Sequence, residues 1–539
     1  MRRRAAVILV LGTLVGTTLA PASVAAARGR RSVEPQHGRA LRVGTFRGVP
    51  GQFASIQAAV DAARPGDWVL VAPGDYHERA DHRLDGHADR ATGAVMITMP
   101  RVHVRGLDRN RVIIDGTKPG APRCSANPAD QDLGPTNGSG RPVGRNGLEV
   151  FEADGVTVEN LTACNFLDGA GGGGNQIWFN GGDASGRVGM GSYFGAHLSA
   201  TSSYWEDGKP QAEYGIFVSN AQGAGAIVHT YASNMADASY YIGACPDCHA
   251  WLLDAHAQHS ALGYSGTNAG GHLVIAFSEW DDNKTGISTN SQNNDDAPSP
   301  QNGSCPGGAP GLLGNGSCTL FVANWIHDNN DPNLPGSGTA QLGPVGTGMV
   351  VAGGRHDTIV LNRVERNGAW GLLLVPFPDT STSPQLSHCE GGVPNPGGLL
   401  GALGVTCFYD DWANDVRANF LSGNGSFANP TNGDLADISG LHTPGNCWHG
   451  NFDPHGLTSA PDNLQATNGT CGIANHGAEI TSPLSLQVIC ATEAFGPCPP
   501  SPGSSYPRRT HVTLLPLPQQ RSRPDTCEGV PPNPWCPGP

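Results

Sequence analysis

The most reactive side chains of this sequence crowd its middle. His229, His249, His256, His259 and His272 fall within one stretch, and histidine can shuttle protons or ligate metals near neutral pH. The spacing from His249 to His256 and His259 matches no zinc pattern. Hydrogen bonding in turns is the simpler account, because imidazole both donates and accepts. The acidic pairs Asp281-Asp282 and Asp295-Asp296 are oxygen-rich and could hold calcium, although carboxylates on turns are ordinarily just solvated. Cys245-Pro-Asp-Cys248 has redox spacing, but a redox thiol needs a helix N-terminus to lower its pKa, and this one sits among strands. No Gly-x-Ser-x-Gly elbow and no phosphate-binding glycine loop is present. No metal ligand set is assigned.

What must position these residues is a repeat. From about Asn146 a short apolar strand, a turn and a second strand lead to a polar residue, then four others, then a second polar residue. The pairs are Asn160/Asn165, Ser202/Asp207, His229/Asn234, Asp254/His259, Ser278/Asn283, Asn324/Asn329, Asn362/Asn367 and Asn419/Asn424. The period is twenty-odd residues, lengthened by inserts rich in Gly, Pro and Cys, which is how a β-solenoid reads. An asparagine in each turn can bond its own backbone and its copy one coil away. The strands Ile216–Ser219, Tyr240–Gly243, Leu262–Ser265, Ile287–Asn290, Met349–Ala352 and Leu372–Val375 should stack about 4.8 Å apart. Alternation then points Ile216, Val218, Ile242, Leu262, Ile287 and Met349 inward. Phe217, Tyr241, Ser265, Ser288 and Asn290 point out, as a mild polar and aromatic face suited to sugar rings.

Ahead of the repeat stands Phe53–Glu78. Ile56, Ala59, Val60 and Ala63 share one helical face, with Gln57, Asp61 and Arg64 directed elsewhere. Pro65-Gly66-Asp67 stops the helix, and Trp68–Ala72 is apolar enough to be a doubly buried strand. The phrase SIQAAVDAARPGD…VLVAPGDYHE resembles the N-terminal cap and first coil of right-handed parallel β-helix proteins of the pectin-lyase-like fold. The expected fold is therefore all-β, a right-handed parallel β-helix with a short N-terminal capping helix, over residues 46–454.

The resemblance implies polysaccharide chemistry, since many relatives are pectate lyases, polygalacturonase-like hydrolases or alginate epimerases; others are adhesins and tailspikes. The individual motifs do not follow. Gly271-His272 precedes Asp281-Asp282, and Arg363-Val364-Glu365 ends in a carboxylate, so the polygalacturonase order and chemistry fail. Asp453-Pro454-His455-Gly456 lacks the last aspartate of the epimerase motif and lies past the clear repeats.

The ends and composition fix the setting. Residues 1–27 read as a secretory signal, with Arg2–Arg4 as the basic head, Ala5–Leu19 as an apolar stretch too short to span a membrane, and Ala25-Ala26-Ala27 at the cleavage site. Residues 28–45 read as a flexible lead-in, and 455–539 as a C-terminal cap and a Pro/Cys-rich tail, loosely ordered and held by a local disulfide. Fourteen cysteines, an even number in an exported chain, favour disulfides between sequence neighbours, leaving Cys124 to pair with Cys164. A formal charge of −14 argues against nucleic acid and anionic membranes as partners.

The expected function is binding or modification of an extracellular polysaccharide by a lyase, epimerase or hydrolase. The alternative is a non-catalytic surface or binding protein on the same scaffold. Phe217, Tyr241, His256, Ser265 and His272 are the candidate substrate-binding residues, on central coils flanked by the inserts Asp168–Gly191 and Ser291–Ser317.

Overall fold

The computed structural model describes residues 38–79, 90–183, 185–293, 318–381, 389, 391–492, 498 and 504–538. The signal segment, the pair Asp295-Asp296 and most of the insert Ser291–Ser317 lie outside them. Each coil turns through three faces. Two are legs of one 20-stranded sheet, and the third is a separate 11-stranded sheet. Pairing between successive coils is parallel throughout both. The long strands Gly225–Ser233 and Ala250–Gln258 run through both legs and join them. This is the right-handed parallel β-helix expected.

The stack starts earlier than the capping helix. Ala40–Val43 pairs with Trp68–Val71, so part of the expected lead-in is a coil strand. The helix Ile56–Asp61 then crosses the open end, with the Ser55 hydroxyl accepting from the Ala58 amide. Gln57, expected to face away, is buried. Its side chain accepts from the Met96 amide at 2.7 Å and donates to the Met96 carbonyl at 3.1 Å. Met96 lies on Thr92–Ile97, the edge strand of the 11-stranded sheet. A buried edge needs a partner for its backbone groups, and the glutamine supplies it.

The interior holds Ile216, Val218, Ile242, Ile287 and Met349, as alternation predicts. Leu262 differs: it lies at the strand start, in a separate cluster with Ala238, Ala261 and Ala340 of a covering loop.

Two amide ladders hold the later coils in register. At the corner between the legs, Nδ2 of Asn324 donates to Oδ1 of Asn362 at 3.0 Å, Asn362 to Asn419 at 3.0 Å and Asn419 to Asn451 at 2.9 Å. At the next corner Asn283, Asn329, Asn367 and Asn424 repeat this at 3.1 Å per step. Each Oδ1 also accepts its neighbour's backbone amide, as Asn362 does from Asn324. Each Nδ2 also reaches a carbonyl, as Asn362 does Phe321. The amides are thus fully used while buried, which is the condition for a buried polar group to be stabilising.

The earlier coils depart from this by one residue. Asn160, His229 and Asp254 at the first corner, and Asn165, Asn234 and His259 at the second, all have positive φ, between 49° and 64°. In the ladder coils that left-handed position belongs to the preceding residue: Ala323, Leu361 and Ala418, or Asp282, Asp328 and Arg366. The polar period alone cannot separate the two columns, because Asn, Asp and His tolerate left-handed backbone nearly as well as they bond a turn. Ser202 likewise sits beside Asn165 at the second corner, the first-corner residue of its coil is His197, and Asp207 falls in a loop.

A column of glycines faces the second ladder. A Cβ on Gly286 would lie 2.8 Å from Nδ2 of Asn329; on Gly348, 2.7 Å from that of Asn367; on Gly371, 3.0 Å from that of Asn424. The x-Gly-apolar start of these strands is therefore the counterpart of the ladder.

Six disulfides join the expected neighbours, among them Cys124–Cys164, Cys245–Cys248 and Cys527–Cys536; Cys305, the expected partner of Cys318, lies outside the described residues. The C-terminal segment is not loose. It returns along the rod towards the cap. Tyr506 packs by Trp370. Asn333 accepts from the Thr510 amide. Asn234 exchanges two hydrogen bonds with the Leu515 backbone, and Asn110 two with Gln520. Asn160 accepts from the Arg523 amide. Trp535 ends against Phe46, in a buried cluster with Trp68 and Leu70. The left-handed Asn160 and Asn234 thus use part of their amides on this strap.

Asn367→Ala and Gly348→Ala should each destabilise the protein by about 1–3 kcal/mol, by an orphaned turn amide and by overpacking; an unchanged urea midpoint would contradict the ladder. Truncation after Gly503 should lower the melting temperature and make the Trp68 coil newly sensitive to proteolysis, read by mapping the first cleavage site.

Candidate functional site

The long connections do not leave the coil at random. The corner between the two legs is turned tightly, by pairs such as Asn160-Leu161 and Ala323-Asn324. The connections Thr201 to Tyr214 and His327 to Thr347 lead into strands of the 11-stranded sheet, and those that follow Asn180, Asn290 and Val375 start at the ends of its strands. Its outer face is therefore the one bordered by loops, the usual place for a ligand on a rigid scaffold.

Along this face runs one row of outward side chains, in register across the strands: Glu149, Trp178, Phe217, Tyr241, Ser265 and Ser288. Trp178 and Phe217 stack at 5.1 Å and 12°, and Tyr241 meets Phe217 edge-on at 4.8 Å. Tyr214 stacks on Phe217 from the side at 4.3 Å and 14°. The Trp178 indole donates to the Ser219 hydroxyl at 3.0 Å, and the Tyr241 hydroxyl to the Thr267 carbonyl at 3.2 Å. Trp178 and Phe217 stay half-exposed, whereas Tyr241 and Ser265 are buried among their neighbours. Past Ser288 the row turns aliphatic, and Val350 and Leu373 are covered with Leu484 and Ala491. The platform is thus closed at that side by the helix Pro483–Thr492.

Two carboxyls stand at the edge of the platform. Glu213 and Asp237 precede the paired residues Tyr214 and Ala238 of successive coils. The Tyr214 hydroxyl donates to Asp237 at 2.7 Å, and Ser337, from the bordering loop, donates to Glu213. Burial pushes Asp237 up to about 7, against the help of the Tyr214 bond. Burial pushes Glu213 up to about 8, with the charges of Asp237 and Asp168 adding to the rise. At neutral pH this pair therefore carries a proton that it can donate, the state required of a general acid.

The structure separates the sequence-predicted residues. Phe217, Tyr241 and Ser265 share this row. His256 lies on the second leg of the large sheet, bonded to Asp281 at 2.7 Å. His272 lies at the turn into the first leg, bonded to Asp247 at 2.8 Å and 5.7 Å from the His249 ring. His229 pairs with Asp254 at the exposed corner. Trp178, Tyr214, Glu213 and Asp237 were missed. A signal for them existed: Tyr214 opens an x-Gly-apolar strand, Tyr214-Gly215-Ile216, and Trp178 lies two residues before Asn180 as Phe217 does before Ser219. Among the described residues, four groups of three or more His, Cys, Asp or Glu side chains could hold a metal ion, and none includes a residue of this row or the Glu213–Asp237 pair.

No protein-family model matches the sequence, and no curated protein matches it. Solved structures of similar architecture exist. Pectate lyase Pel9A is 11% identical with a TM-score of 0.36, over 83% of this chain and 90% of its own. The A-module of mannuronan C-5 epimerase AlgE4 from Azotobacter vinelandii is 12% identical with a TM-score of 0.33, over 74% and 90%. A mannuronic acid specific family 6 lyase from human gut microbiota is 10% identical with a TM-score of 0.35, over 78% of each. The likeness is one of coil architecture, which the strand pairing already establishes.

For a carboxyl raised on folding, the native state keeps its proton where the unfolded chain has lost it. Stability then falls as pH rises from the unfolded pKa towards the folded one. For Asp237 that window runs from 3.8 to about 7, and for Glu213 from 4.5 to about 8. The melting temperature should fall across it, and Asp237→Asn should flatten the fall; parallel curves for the two proteins would show that Asp237 ionises normally.

Proposed function

We propose that this protein is exported and that it binds and modifies an extracellular polysaccharide in the groove over the 11-stranded sheet. One observation carries the reading: an aromatic row one sheet-register long, Trp178–Phe217–Tyr241, beside a carboxyl pair that holds a proton at neutral pH. Faces of stacked rings offer a flat apolar surface to the C–H face of a sugar. Ser288 and Asn290 beyond them offer hydroxyl and amide partners. Disulfides throughout the rod fit an oxidising compartment, and no described helix is long and apolar enough to cross a membrane.

The charge of the groove narrows the substrate. Its row carries Glu149 and no lysine or arginine, and its proton donors are carboxyls. With no cation in the row itself, a neutral or weakly charged glycan is a better partner for it than an anionic polyuronate. With such a glycan, protonation of a leaving-group oxygen by Glu213 or Asp237 is the chemistry on offer. That favours hydrolysis over elimination or C-5 epimerisation, both of which act on a uronate. The second reading is binding without turnover, which the engagement of both carboxyls with Tyr214 and Ser337 favours.

On an array of neutral and acidic glycans, the wild type should retain a neutral class, and Trp178→Ala and Phe217→Ala should each weaken retention by about tenfold. New reducing ends from that glycan, lost in Glu213→Gln or Asp237→Asn, would establish hydrolysis. Retention without product would leave the binding reading, and equal retention by folded Trp178→Ala would place the glycan elsewhere.

A further inference from the structure

The outer face of the second leg, away from the aromatic groove, carries two imidazoles and two carboxylates on three successive coils. His256 faces Glu279, and Gln258 faces Asp281, which faces His327. One ligand atom each of His256, Glu279 and Asp281 lies within 4.8 Å of the others. Nε2 of His256 is 2.7 Å from Asp281 Oδ1, and Nε2 of His327 is 3.5 Å from Glu279 Oε1.

The surroundings are built in the manner of a ligand shell. Nδ1 of His327 meets Asp328 at 2.8 Å and the Arg366 guanidinium at 3.3 Å, and that guanidinium in turn bonds Asp328 at 3.0 Å. The second oxygen of Asp281 accepts from Gln258 at 2.8 Å, and Gln258 in turn accepts from the Tyr231 hydroxyl at 3.1 Å. Tyr231 meets the His256 ring edge-on at 5.3 Å, and Trp325 lies over His327 at 3.8 Å. Outer partners of this kind fix the tautomer and orientation of metal-bound histidines.

We propose that His256, Glu279 and Asp281 bind one divalent first-row transition metal ion of the zinc class, with His327 beside Glu279 at its rim. An imidazole nitrogen with two carboxylate oxygens suits such an ion better than calcium, which takes oxygen alone. The ion would clamp two coils through side chains, where the amide ladders clamp coils through turns.

The test uses the full oxidised chain, stripped of metal and titrated calorimetrically with Zn²⁺, with Co²⁺ absorption as a second readout. The wild type should take up about one equivalent and give the visible bands of a low-coordinate Co²⁺ site. His256→Ala and Glu279→Gln should abolish both signals, and Gln258→Ala, outside the ligand set, should weaken binding by about tenfold or more. His449→Ala, at a separate Cys/His/Asp cluster, should leave them unchanged. Circular dichroism checks that each variant is folded; Glu279→Gln keeps the side-chain volume and serves if His256→Ala is not. No uptake by the wild type, or uptake that a folded Glu279→Gln retains, overturns the proposal.

Discussion

The bond on which this structure most depends is the side-chain amide hydrogen bond from one coil to the next. Parallel strands alone do not fix a register, because a backbone ladder can slip. An asparagine buried at each corner can be satisfied only if its copy stands directly above it. Asn324, Asn362, Asn419 and Asn451 meet that condition at one corner, and Asn283, Asn329, Asn367 and Asn424 at another. The ladder then dictates its neighbours. Its Nδ2 atoms fill the space that a side chain on Gly286, Gly348 or Gly371 would take. The residue before each ladder asparagine must turn left-handed.

Tight corners have a functional counterpart. The corner between the two legs is turned in about two residues in most coils, and the inserts accumulate where the chain enters and leaves the 11-stranded sheet. That gives one face a border of loops, while the early coils of the legs are crossed by the C-terminal strap. The aromatic row and the Glu213–Asp237 pair lie on the bordered face, and burial at its edge is what raises both carboxyls. The polar array around His327 lies on the second leg, away from that border.

The sequence showed the scaffold more readily than the site. The capping phrase, the coil period and the inward Ile216, Val218, Ile287 and Met349 could all be read, because hydrophobic alternation and turn chemistry are local. Phe217, Tyr241 and Ser265 could be placed on one face for the same reason. The one-residue offset between Asn234 or His259 and the true ladder could not, since it depends on which of two adjacent polar residues turns left-handed. Nor could the company of Phe217 be seen. Trp178 joins it from the preceding coil, and Glu213 is bonded by Ser337 from a loop more than a hundred residues away. His256 was singled out, but its partners Glu279, Asp281 and His327 converge only through parallel register.

The strap has a consequence for biogenesis. Solenoids can form coil by coil from whichever end emerges first, each unit needing only its neighbour. Here the outer face of the first coil is covered by Trp535, which sits on Phe46 in one cluster with Trp68 and Leu70. Those apolar surfaces are made first and covered last. During synthesis the nascent rod therefore carries an exposed apolar patch on its first coil until the Trp535 segment arrives. A chain stalled or clipped before that segment would leave the patch to meet another molecule's, giving side-on association as the characteristic failure of a shortened copy.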